Sequence, residues 1–259
     1  MKKLSIIIPY YNAHEFTNLC LESIFDCTSE DFEIILIDNG SSDEEISKLE
    51  LFSEFGQLPQ MKVIRNETNK GFPAAVNQGF TEATGDIICV LNNDLVVTPD
   101  WAEHLEWHLD HGLDVVGPRT NYIDGPQILL IDRYDNKEEL YERAREHYKK
   151  NKHKRWAFPR LVGFCLMFKR EVYEKIGGFD EDFGIGNFED DDWDLRAIEA
   201  GYRLGISRDV YLHHFGSVTH KLLNLDYNKL LRKNEKIFST KWSGEDLKRL
   251  DRKNKEAIK

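Results

Sequence analysis

The chain is 259 residues long, 41% hydrophobic and 31% charged, with a formal net charge of −11. That length buries a full core in one large domain or two small ones, and the composition excludes a disordered chain. The longest apolar runs are far shorter than a membrane span, and the acidic balance argues against nucleic acid as the main partner.

The charge is unevenly spread. Residues 221–259 hold twelve Lys/Arg and six Asp/Glu, so this tail carries +6 and residues 1–220 carry −17. A basic tail suits anionic lipid or an acidic partner, or is simply a solvated helix face. Cys20, Cys27, Cys89 and Cys165 contain no C-x-x-C pair, which predicts neither a zinc site nor a disulfide framework.

Met1-Lys2-Lys3 and the apolar run after it imitate a signal peptide, but Pro9-Tyr10-Tyr11-Asn12 ends the run without a small-residue cleavage site. Leu4–Ile8 therefore reads as the first strand of a cytoplasmic protein. Ala13–Phe25 places apolar residues at helical spacing, and Glu33–Ile37 is a second strand. The polar turn Asp38–Asp43 then caps a helix running to about Phe55. Met61–Arg65, Phe72–Ala83 and Asp86–Leu91 continue as strand, helix and strand, and Val96–Asp100 leads into the next helix. This alternation predicts a parallel sheet covered on both faces, its polar turns converging at the strand C-termini.

After Val115-Val116-Gly117-Pro118 the regularity fades into a loop over residues 119–134 and a polar helix over Asn136–Arg155. Leu161–Phe168 is an apolar strand, Arg170–Ile176 a helix stopped by Gly177-Gly178, and Asp190–Ala200 a helix stopped by Gly201. Tyr202–Ser207 and Val210–His214 read as two short strands, and residues 226–257 as helix broken near Ser243-Gly244. The expected organisation is a domain over residues 1–220, split into halves at residue 118, followed by a basic helical extension over residues 221–259.

Five constellations carry chemistry. Asn92-Asn93-Asp94 ends a buried strand at the edge where open α/β sheets bind ligands, and one acid flanked by amides suits a divalent cation. The alternative there is an Asx turn. Asp38 closes the second strand, where it can accept bonds from a base or ribose; Ser42 and Asp43 are better placed for capping. Gly71 and Pro73 open the third helix with free N–H groups, but neither a dinucleotide fingerprint nor a P-loop is present. Glu189-Asp190-Asp191-Asp192 sets four acids together, more than a helix dipole needs, so one is suited to general-base work. His213-His214 ends the last strand, with metal or phosphate contact as the functional reading and a structural histidine as the alternative.

Taken in order, Ser5–Asn12, Ile37–Asp43, Asn69–Phe72, Leu91–Asp94, Gly177–Glu181, Phe188–Trp193 and His214–Ser217 resemble the motifs of the family 2 glycosyltransferases of GT-A fold, rhamnosyltransferases among them. The resemblance covers residues 4 to about 220. It implies an inverting transferase with a UDP- or dTDP-linked sugar donor and Mn2+ or Mg2+. The implied acceptor is a glycan, lipid-linked or protein hydroxyl in polysaccharide or glycoconjugate synthesis, at the inner face of the membrane. By the same resemblance Pro9, Tyr11, Asp38, Asn69, Gly71 and Asn93 hold the nucleotide, and Asp94 and His214 the metal. Asp190 is then the general base, with Glu189 as the other candidate. Asn92 replaces the first acid of the family's D-x-D pattern and offers a neutral oxygen instead, which implies weaker dependence on added metal. The rival readings are a nucleotide-sugar-binding module without transfer and a sugar nucleotidyltransferase. The tail is a candidate for peripheral membrane contact and for homodimer contact, or packs on its own body.

Overall fold

The computed structural model describes residues 3–29, 31–50, 60–216 and 226–258. In chain order the first elements are β1 (Leu4–Tyr10), α1 (His14–Cys27), β2 (Phe32–Asp38), α2 (Asp43–Glu50), β3 (Met61–Arg65) and α3 (Phe72–Glu82). Next come β4 (Ile87–Leu91), β5 (Leu95–Val96), α4 (Trp101–Asp110), β6 (Val115–Thr120), α5 (Lys137–Asn151) and β7 (Arg155–Ala157). The last are β8 (Cys165–Lys169), α6 (Arg170–Ile176), α7 (Glu189–Glu199), β9 (Leu204–His214), α8 (Tyr227–Lys241) and α9 (Gly244–Ala257).

Alternation along the strands explains the two-sided core. Successive side chains of a strand point to opposite faces. Ile6 and Ile8 of β1, Ile34 and Leu36 of β2, and Cys89 and Leu91 of β4 pack with Leu21, Ile24, Trp101 and Leu105 from α1 and α4. Ile7, Ile35, Ile37, Ile88 and Val90 face the other way, onto Val76 and Phe80 of α3 and Trp193 of α7. Each strand is apolar on both faces, as a doubly covered sheet requires.

The sheet order is β3-β2-β1-β4-β8-β6-β9-β5, with β7 added on β9. The first four strands pair in parallel. β8 then inserts antiparallel to both β4 and β6, and β6 pairs parallel with β9. The sheet is therefore mixed: the mostly parallel sheet expected of a GT-A fold is present, with β8 as an antiparallel member between β4 and β6. A correction concerns β9. Residues expected as two short strands form one, with a register irregularity absorbed opposite Gly117–Arg119. Inside that irregularity the fully buried His108 and Ser207 both bond Asp209, at 2.8 and 2.7 Å. Leu161–Phe164, expected as strand, is the loop before β8. The expected end of the second helix, near Phe55, lies outside the described residues, as do Ser217 and the boundary at residue 220.

Helices α8 and α9 pack on the chain's own body. Phe238 and Leu250 join the core, Asn254 bonds both the N–H and the carbonyl of Leu204 at 2.8 Å, and Lys241 pairs with Asp180 and Asp192. Among the described residues no helix is long and apolar enough to cross a membrane.

Candidate active site

Three turns meet at the C-terminal edge of β1, β2 and β3. Asp38 is buried at the end of β2; its Oδ1 accepts the Ser41 N–H at 2.8 Å, while Oδ2 has no hydrogen bond and faces Arg65 Nε at 3.5 Å. Asn39 ties the turns together. Its Oδ1 accepts from the Lys70 N–H, and its Nδ2 donates to Asn69 Oδ1 at 3.0 Å and to the Gly71 carbonyl at 3.2 Å. Asn69 Oδ1 also accepts the Gly71 N–H at 2.9 Å. On the β1 side, Pro9 is buried opposite Ile37 and Tyr11 is half-buried just past the strand. Asn12 and Ala13 follow in the left-handed region, and Asn12 Oδ1 accepts the Ser42 N–H at 3.0 Å. An orphaned buried carboxylate oxygen in such a corner suits a donor from a base or ribose.

Gly71 closes this corner against residues 183–186. Its φ is +89°, and a Cβ there would meet the Gly184 carbonyl oxygen at 2.0 Å. Gly71→Ala is expected to lower stability by about 1–3 kcal/mol and to push residues 184–186 off the corner. Thermal unfolding and nucleotide binding check this, and wild-type values for both would contradict it.

Asp94 and His214 are brought together by the short antiparallel pairing of β5 with the end of β9, which sets Leu95 opposite His214. Both are buried, and His214 Nε2 lies 3.1 Å from Asp94 Oδ1. His214 Nδ1 is 2.8 Å from the Tyr122 carbonyl, which only accepts, so Nδ1 carries the proton and Nε2 presents its lone pair to the carboxylate. Two lone pairs facing each other call for a cation or a second proton between them. Adjacent ligands of an octahedral ion bound at about 2.1 Å sit about 3.0 Å apart, so the pair fits a divalent cation. The carbonyl behind Nδ1 is the usual orienting partner of a metal-binding imidazole. Among the described residues no group of three or more His, Cys, Asp or Glu is gathered to hold a metal, so further ligands would have to come from substrate or water. Strand alternation turns His213 away, onto Tyr134 Oη at 2.5 Å, and burial lowers its proton affinity.

Asn93 lies in the same turn as Asp94. Its side chain is buried and its Nδ2 donates to Thr17 Oγ1 of α1 at 2.9 Å, so it anchors the turn to the helix behind. Asn92 is half-buried and its N–H bonds the Phe164 carbonyl at 2.8 Å.

The four acids opening α7 divide by direction. Asp192 is fully buried against Arg196, Lys241 and the Trp242 indole N–H, a structural anchor for the C-terminal helices. Asp191 makes a bidentate pair with Arg160. Asp190 Oδ2 accepts the Gly163 N–H at 2.8 Å and the residue is only half-buried, so part of it stays open to solvent. Burial, then the charge of Asp191, raises its pKa from 3.8 to about 6. Glu189 is buried with Oε2 unpartnered, and burial followed by the charge of Asp190 pushes its pKa well above the usual range. Further along α7, buried Asp194 bonds the Leu161 N–H, and burial raises its pKa as well.

The loop Gly163-Phe164 links the two halves. Gly163 bonds Asp190, and the Phe164 ring stacks on His214 with centroids 5.7 Å apart. Asn39, Tyr122, Gly163 and Phe164 complete the site beyond the residues expected from the motifs. Asn39 had the signal of lying in the Asp38 turn; the others act through backbone atoms or packing that single residues do not announce.

Residues 5–177 match the family described as Glycosyl transferase family 2. The chain belongs to glycosyl transferase family 2. The family match stops before the acids of α7. Glycosyltransferase AglE of Haloferax volcanii is 26% identical over 225 residues, 84% of this chain and 70% of that protein. An undecaprenyl-phosphate 4-deoxy-4-formamido-L-arabinose transferase of Photorhabdus laumondii is 33% identical over 124 residues. That stretch is 46% of this chain and 37% of the relative, so the chain spans well under half of it. An uncharacterized protein, y4gI, of Sinorhizobium fredii is 29% identical over 226 residues, 83% of this chain and 25% of that protein. Among solved structures, the mannosyltransferase PcManGT of Pyrobaculum calidifontis, in complex with GDP-Man and Mn2+, superposes with a TM-score of 0.66. It is 20% identical, over 99% of this chain and 70% of that one. GalNAc-T7 with UDP, GalNAc and Mn2+ superposes with a TM-score of 0.65 at 20% identity, over 83% of this chain and 43% of that one. The family 2 chain thus has the GT-A fold that its motifs imply.

Proposed function

We propose that the chain is an inverting glycosyltransferase that moves a sugar from a UDP- or dTDP-linked donor to a hydroxyl of a glycan, lipid-linked or protein acceptor. The observation that carries this is the Gly163-Phe164 loop, which touches Asp190 on one side and His214 of the Asp94 pair on the other. A base and a cation-holding pair thereby flank one loop, and the corner of Asp38, Asn39, Asn69 and Gly71 completes the proposed site. That corner receives the nucleoside, with Asp38 Oδ2 as the acceptor for its hydroxyl or N–H groups. Asp94 and His214 would hold Mn2+ or Mg2+, whose positive charge, when bound, offsets the charge developing on the diphosphate. Asp190 takes the proton of the acceptor hydroxyl as that oxygen forms its bond to the anomeric carbon. The bond to the diphosphate oxygen breaks on the opposite face, and the electron pair leaves with the nucleoside diphosphate. A single displacement of this kind inverts the anomeric centre.

Solved relatives of the same fold carry GDP-Man or UDP with Mn2+, which supports a nucleotide-sugar donor and a divalent ion here. A thermal-shift panel of UDP-, dTDP- and GDP-sugars with Mn2+ or Mg2+ tests the reading. A true donor at a hundred times its Kd stabilises the fold by about 2.7 kcal/mol. A panel with no stabilising sugar nucleotide would overturn it.

A further inference from the structure

Asn234 lies on α8, outside the span of the family match. It is fully buried, and its Nδ2 lies 2.7 Å from the Phe183 carbonyl, 2.7 Å from the Gly186 carbonyl and 3.2 Å from the Asn187 carbonyl. An amide has two protons, so the three carbonyls share them in one clamp. The segment so held does not rest in an easy conformation. Gly184 and Gly186 have positive φ, and so do Asn187 at 78° and Phe188 at 74°, neither of them glycine. Two consecutive side-chain-bearing residues in the left-handed region persist only where surrounding contacts over-determine them. Other contacts from α8 reinforce the hold: Tyr227 Oη donates to Asn187 Oδ1 at 3.1 Å, and the Phe188 ring packs on Phe238 at 5.4 Å.

Both ends of this segment bear on the cleft. At one end the Phe72 N–H bonds the Ile185 carbonyl at 3.1 Å beside Gly71. At the other, Glu189 and Asp190 follow Phe188 directly and open α7. A shift in the backbone at 187–188 would therefore move Asp190 off the Gly163 N–H.

We propose that Asn234 is a positioning residue of the transfer reaction: by clamping the strained 183–188 segment it sets the Asp190 carboxylate for its work in the cleft. This rests on reading Asp190 as the base. It makes the C-terminal helices part of the catalytic apparatus.

The test uses the full chain with Asn234→Ala and with Asn234→Asp, which keeps the size but removes the donor, at a temperature where each is folded. kcat should fall about 10- to 100-fold, as expected when a reacting group is displaced by roughly an ångström. The acid limb of the kcat profile, expected near 6 in the wild type, should move toward the ordinary carboxylate range as water reaches Asp190. The groups facing Asp190 (Glu189, Asp191 and Asp194, with Arg160 and Tyr227) are unchanged in Asn234→Ala, which adds no titratable group, so a shift in that variant reports the position of Asp190. Amide exchange at residues 183–190 should quicken ahead of the rest of the chain. Unchanged exchange there overturns the clamp. Faster exchange with wild-type kcat and acid limb overturns its catalytic role and leaves a structural one. Exchange needs no substrate, so it still decides the clamp if the wild type shows no transfer and the functional reading itself fails.

Discussion

Asp190→Asn is expected to lower transfer by about 10²–10⁴-fold while leaving donor binding close to wild type. The amide keeps the shape of the side chain and its oxygen can still accept the Gly163 N–H, so the variant loses the proton acceptor together with the bond that Oδ1 accepts from the Asp191 N–H at 2.8 Å. The wild-type rate should rise with pH through about 6, because a general base works only after losing its proton. The variant should lack that limb. The stability effect has the opposite sign. The folded pKa stands above the ordinary 3.8, so between the two values the folded chain holds a proton that the unfolded chain has released. The cost of burying this charge is absent below the unfolded value and complete above the folded one. Asparagine removes it, and at neutral pH the variant should be more stable by on the order of 2 kcal/mol. Single-turnover transfer and thermal unfolding at two pH values read both effects. Wild-type turnover in Asp190→Asn would remove Asp190 from the mechanism.

Asp94→Ala and His214→Ala are expected to uncouple donor binding from the divalent ion. With two proposed ligands gathered among the described residues, losing either leaves one, and apparent Mn2+ affinity should fall by at least about 10- to 100-fold. Asp94→Ala should be the more damaging, since it removes the only negative charge of the pair. Because Asn92 stands where relatives of D-x-D pattern have a second acid, activity of the wild type should depend less on added metal than theirs does. A metal titration of activity, alongside the donor-induced shift in Tm with and without Mn2+, measures this. Full activity of Asp94→Ala in the presence of a chelator would separate the pair from the metal altogether.

Much of the sheet was legible from local pattern. The apolar runs at Leu4–Tyr10, Phe32–Asp38 and Ile87–Leu91 are short, β-rich and bounded by polar turns, and each became a strand buried on both faces. Turn residues such as Asp38, Asn69 and Gly71 had to lie at strand C-termini, so their convergence followed from parallel pairing. The direction of β8 was not legible: an apolar run packs equally well parallel or antiparallel, and only its place between β4 and β6 decides. The acids of α7 resisted for another reason. Glu189, Asp190, Asp191 and Asp192 are alike in sequence, but a helix advances about 100° per residue and aims each at a different neighbour. Arg160, Lys241 and the Gly163 N–H then give them separate tasks.

What the sequence by itself determined is the kind of fold, the edge of the sheet where chemistry gathers, and the small set of acids, amides and histidines available there. Those depend on periodicity and turn chemistry, which act over a few residues. Only the tertiary structure decided that His214 rather than His213 meets Asp94, that Asn93 turns inward to Thr17, that Asp192 is an anchor, and that Asn234 grips the segment before Asp190. Each of these is a contact between residues far apart in the chain. Its geometry is set by strand register and helix phase, which no single stretch of sequence contains.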